Sequence, residues 1–143
     1  MKQVLTVFLI AIGSFTLTAQ TDSYTGTYER YIAPTNAGAR TRTLILNPDG
    51  TFTFSEHRAK HPSQPEELKS GKGIWKVEKP NVIYFYVDEE KDMDNAHVLN
   101  FNNSKARFTQ KSPRDKSDRI IPTSIRFYDS EISWIKGMKL LKK

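Results

Sequence analysis

The sequence predicts an all-β domain: an antiparallel up-and-down meander of about 8–10 strands forming a small barrel. Three observations predict it. From Tyr24 onward, short segments rich in Thr, Ile, Val, Phe and Tyr alternate apolar and polar residues. Gly, Pro, Asn and Asp separate these segments at short intervals, and no window carries a long apolar stripe at helical spacing. At 143 residues the chain is one domain.

Residues 1–19 stand apart from this pattern. Lys2, the apolar stretch from Val4 to Ile12 and the small Ala19 before Gln20 have the layout of a secretory signal peptide cleaved after Ala19. That stretch is well short of the roughly 20 residues that cross a bilayer, and no second candidate follows. The domain proper is then 20–143, exported to the periplasm or beyond and soluble. There is no cysteine, so the expectation includes no lipid anchor, no disulfide and no thiol chemistry. The net charge of +6 serves solubility or attracts an anionic envelope component, and export argues against nucleic acid as a partner.

The first strand is expected at 24–32. The next two, 41–47 and 51–58, flank Asn47-Pro48-Asp49-Gly50, in which proline pre-sets the first central position of a type I turn and glycine accepts the left-handed conformation. A glycine bulge there sets Leu46 opposite Phe52, Ile45 opposite Thr53 and Leu44 opposite Phe54. Leu44, Leu46, Phe52 and Phe54 then share the core face, and a slip of one residue would expose all four. A second hairpin joins 72–79 to 82–88 through Lys79-Pro80-Asn81. The second of these strands is apolar on both faces, so both should be covered. A third hairpin is expected between 96–102 and 105–111, and a fourth between 121–128 and 131–136 with Asp129-Ser130 as its turn; a last strand occupies 138–142. The connections 59–71, 88–95 and 111–119 lack strand character.

Few residues look like chemistry. His57 and His61 have a four-residue spacing, but Pro62 and Pro65 argue against the helix that would make them a ligand pair. The acidic run at 88–95 offers oxygen atoms but lacks the glycine and distant glutamate of a calcium loop. No nucleophile-elbow or phosphate-loop spacing appears. Glu29, Glu56 and Glu78 lie near strand ends without an assignable partner. No metal and no cofactor is expected, and an enzyme is the third-ranked reading.

Gly26-Thr27-Tyr28, Leu44-x-Leu46-x-x-Asp49-Gly50-x-Phe52 and Gly73-x-Trp75 resemble motifs of the small lipocalin-like proteins that many bacteria export. The resemblance implies an up-and-down barrel, often with a cavity for a small apolar molecule. Tyr28 stands where the first-strand motif of true lipocalins has tryptophan, and no T-D-Y motif follows. The hairpin rhythm is also similar to the copper-resistance lipoprotein domain, but that domain needs a cysteine pair and an anchor this chain lacks, so no copper role carries over.

The aromatic residues on almost every strand give the leading functional expectation, non-catalytic binding of a small apolar or amphipathic ligand. The expected pocket holds Tyr28, Phe54, Trp75 and Tyr84, with Tyr86, Arg126 and Trp134. Trp and Tyr supply flat contact and Arg126 a charge for an anionic head group. The alternative is a packed interior, with an envelope protein or anionic glycan bound through basic loops such as 111–119.

Overall fold

The structure, a computed structural model, describes residues 22–36, 38–59 and 65–143. The expected leader at 1–19, together with His61 and Pro62, lies outside the described residues. The strands are β1 (Gly26–Thr35), β2 (Gly38–Leu46), β3 (Thr51–Arg58), β4 (Glu67–Lys79), β5 (Val82–Tyr86), β6 (Lys105–Thr109), β7 (Ser124–Asp129) and β8 (Lys139–Lys142). Each pairs antiparallel with its sequence neighbours, and β8 returns to β1, closing a barrel of eight strands.

The β2–β3 hairpin forms as its turn chemistry dictates. Gly50 has φ +87°, its amide donates to the Asn47 carbonyl at 3.1 Å, and the Asn47 amide donates to Thr51 at 2.9 Å. Leu44, Ile45 and Leu46 face Phe54, Thr53 and Phe52. The Trp75 indole donates to the Asn47 carbonyl at 3.1 Å and its amide to the Gly50 carbonyl at 2.8 Å, so β4 holds the turn from outside the hairpin.

Inward-facing side chains fill the barrel. Phe52, Phe54, Phe85, Phe101 and Phe127 form a connected ring cluster with centroids 5.0–6.1 Å apart. Opposite Phe54 and Phe52 on β4 stand Gly71 and Gly73, and their missing side chains make the room. A Cβ on Gly71 would lie 2.8 Å from the Leu99 carbonyl oxygen, and one on Gly73 would collide with the Tyr86 carbonyl. At the end holding the Asn47–Gly50 turn, the Tyr24 ring packs 4.6 Å from Phe108 and the Tyr28 hydroxyl donates to the Tyr24 carbonyl at 2.6 Å. Burial pushes the Tyr28 phenol well above its ordinary pKa.

Four expectations need correction. Residues 96–102 are not a strand: the Leu99 amide bonds Ser70 at 3.0 Å, but the segment otherwise lies over Gly71 and sends Phe101 into the core. Its asparagines take the backbone groups that a ladder would use. The Asn102 side chain accepts from the Val87 amide at 2.6 Å and donates to the Val87 carbonyl at 2.8 Å. Consequently β6 pairs with β5 across the long connection 87–104. Residues 131–136 are also not a strand. Ser130 Oγ accepts from the Ile132 amide at 3.1 Å, the chain coils, and Ile135 and Met138 enter the core. The connection 59–71 is shorter than expected: β4 begins at Glu67, and Glu67, Leu68, Lys69 and Ser70 pair with Arg58, His57, Glu56 and Ser55. Residues 88–95, without strand character as expected, contain one helical turn, α1 (Glu89–Asp92), begun by Asp88, whose carboxylate accepts from the Glu90 amide at 3.1 Å. Finally, the outer side of β5 is covered only in part: Val82 is buried, while Tyr84 and Tyr86 lie beneath lysine ammonium groups, 5.5 Å from Lys105 and 5.6 Å from Lys76.

Candidate functional site

At the end opposite the Asn47–Gly50 turn the strands are unequal. β1 pairs with β2 as far as Thr35 and Gly38, and β3 with β4 as far as Arg58 and Glu67, whereas β8 meets β1 only at Tyr28 and Glu29. A wall of four strands therefore rises past the closed ring, by roughly 20 Å along β1 at strand spacing. The segments 97–104 and 130–138 pack at this end, the first through Leu99, whose amide donates to the Ser70 carbonyl at 3.0 Å, and the second through Trp134 against Arg42. They are tied together by Ser104 Oγ against Ser130 Oγ at 2.8 Å and by Asn103, which donates to Glu131 at 3.0 Å.

The inner face of this wall is charged. Register aligns Arg30, Arg42, Glu56 and Lys69 in one layer, and Ile32, Arg40, Arg58 and Glu67 in the next. The lower layer seals the core. Arg42 Nε meets Glu56 Oε2 at 2.5 Å with both residues 8% exposed. The Arg42 guanidinium lies 4.8 Å over the Trp134 ring, and its Nη1 points at Met138 Sδ at 3.4 Å. Trp134 in turn rests 6.1 Å from Phe54. In the upper layer Glu67 takes Arg58 at 2.7 Å and Lys69 at 3.4 Å.

Two carboxylates thus serve five inward-phase cations. Among the described residues Arg30 and Arg40 have no carboxylate partner, and Arg58 Nε is buried without an acceptor. Like charges on facing strand positions are destabilising, and a buried donor left unpaired costs about 1–3 kcal/mol. An anion seated between Arg40 and Arg58 would relieve both.

The seven expected pocket residues do not form one site. Tyr28, Phe54 and Trp75 point inward but are packed into the core. Trp134 is at the mouth, against Arg42. Tyr84, Tyr86 and Arg126 share the outer face, where Arg126 stands opposite Arg107 and Lys139. The Tyr86 hydroxyl donates to the Glu78 carboxylate, and that bond raises the phenol to about 12. Arg40, Arg42 and Arg58 were not anticipated as site residues, although the signal is present. They continue the inward phase of Leu44–Leu46 and Phe52–Phe54 beyond the apolar stretch.

Other histidine and charged side chains are engaged locally. His97 Nδ1 is 2.9 Å from Asp94, whose carboxyl is held below its usual range by the His97 side chain and then the His97 amide. In loop 111–119, Asp115 pairs with Arg119 at 3.0 Å and Lys111 donates to the Ser117 carbonyl at 2.6 Å, so part of the loop's charge is matched within it. His57 is exposed on β3, and among the described residues no three His, Asp or Glu side chains converge as a metal site. No family model, curated protein or solved structure matches the chain.

Proposed function

We propose that this barrel is an exported, lipocalin-like, non-catalytic binding protein for a small amphipathic anion held at the basic mouth. The observation that carries the reading is the surplus of inward-phase cations over carboxylates on β1–β4, set above Trp134. Arg40 and Arg58 take the anionic group, while Trp134 and Ile32 face the apolar part. The ligand stays at the mouth because the barrel below is filled. Withdrawing one phenylalanine ring to admit a tail would cost about 3–5 kcal/mol, comparable to the whole of a millimolar affinity. Purely apolar cargo therefore fits poorly. The test is Trp134 fluorescence, isolated in a Trp75→Phe background and titrated with decanoate and with decanol. Saturable response to decanoate, lost in Arg40→Ser/Arg58→Ser and absent with decanol, is expected. Equal response to both would refute recognition of the charge.

A further inference from the structure

We propose that the outer face of β4–β8, with the cleft beside β3 and α1, is a docking surface for a linear acidic polysaccharide bearing carboxylate or sulfate groups. This surface lies on the other side of the barrel wall from the inner face of the mouth, and its argument does not depend on the mouth.

Arg107, Arg126 and Lys139 stand directly opposite one another on β6, β7 and β8, all exposed. Among the described residues none of the three forms an ion pair with a carboxylate. Such a row works against the sheet that carries it, and a chain of anions laid along it removes the repulsion. Aromatic rings interleave with the cations: Arg107 lies 5.4 Å over Tyr128, Lys105 5.5 Å over Tyr84 and Lys76 5.6 Å over Tyr86. Each ring holds a cation at its face, which fixes the charges along the strands for the acidic substituents of a sugar chain.

Beyond Tyr86 the band continues into a cleft of about 580 Å³, bounded by Thr51, Thr53, Lys72, Ile74, Asp88 and Asp92 among others. From β3 to β8 the band follows five of the eight strand spacings round the closed barrel, a curved path of roughly 24 Å, which fits several linked sugars wrapped on the surface rather than one small molecule. The cleft also separates sugar polymers from nucleic acid. Asp88 and Asp92 can accept hydrogen bonds from sugar hydroxyls, which every ring of an acidic polysaccharide carries and a DNA backbone lacks.

The test is calorimetric titration of the full chain with polygalacturonate, heparin, neutral dextran and a thymidine oligonucleotide. At least one of the two acidic polysaccharides should bind; binding of polygalacturonate shows that carboxylates suffice, and binding of heparin alone shows that sulfates are needed. Dextran should not bind. Arg107→Glu/Arg126→Glu should weaken the binding about tenfold or more, with a melting temperature no lower than the parent. Tyr84→Ala should weaken it by a smaller factor. Arg40→Ser/Arg58→Ser should leave it intact, which keeps this surface distinguishable from the mouth. Binding of neither polysaccharide, tighter binding of the oligonucleotide, or binding indifferent to the double charge reversal would overturn the proposal.

Discussion

Glu56 is the residue on which the floor of the mouth depends. Its carboxylate is the sole ion-pair partner of Arg42 among the described residues, in a position less than a tenth exposed. Glu56→Gln leaves a guanidinium charge buried and should lower the urea-unfolding free energy by about 3–5 kcal/mol. Arg42→Met/Glu56→Leu should recover most of it, because an apolar pair has no charge to compensate. Three surface carboxylates set a pH dependence. Asp49 is held below its ordinary value first by the Thr51 hydroxyl and then the Thr51 amide, Asp94 by His97, and Asp115 by the Ser117 hydroxyl and amide. Each binds a proton less readily folded than unfolded. Their contribution is therefore complete above the unfolded value and lost as pH falls through the lower folded one. Thermal midpoints should decline below about pH 4, and the decline should be shallower when all three are asparagine. A midpoint unchanged by that triple substitution would contradict the assignment.

At the scale of elements, two glycines answer differently to the same change. Gly50→Ala meets nothing within 4 Å and suffers only from its φ of +87°, so it should cost about 1–2 kcal/mol. Gly73→Ala places a methyl group against the Tyr86 carbonyl, between two paired strands, and should cost about 3 kcal/mol in the same denaturation experiment. If the order were reversed, the packing of β4 against β5 described above would be wrong. The hairpin at Asn47–Gly50 was legible in the sequence because turn chemistry and the two-residue period select one register. Segments 96–102 and 131–136 misled because alternation reports which side chains are buried, not where the backbone hydrogen bonds go. Asn102 and Ser130 decide that, and nothing in a period of two announces them. The mouth was legible only in part. Arg40 and Arg42 keep the inward phase of Leu44 and Leu46, but an apolar criterion for the interior passes over them.

For the molecule as a whole, a closed meander with a filled aromatic core leaves the proposed recognition only its mouth and its outer surface. The outer cation row should carry a stability penalty that substitution exposes. Arg126→Glu turns two like-charge neighbours, Arg107 and Lys139, into opposite pairs and should stabilise the barrel by about 1 kcal/mol, read from urea midpoints at low salt. The central claim, anion recognition at the mouth over a core that stays shut, is tested most directly by the two tryptophan indoles. Trp134 stacks on Arg42 at the mouth, and Trp75 donates to the Asn47 carbonyl at the far end. In a nitrogen–proton correlation spectrum titrated with decanoate, the Trp134 indole signal should shift saturably and the Trp75 signal should stay in place. Two unmoved indoles, or a Trp75 signal that moves together with Trp134, would contradict the account.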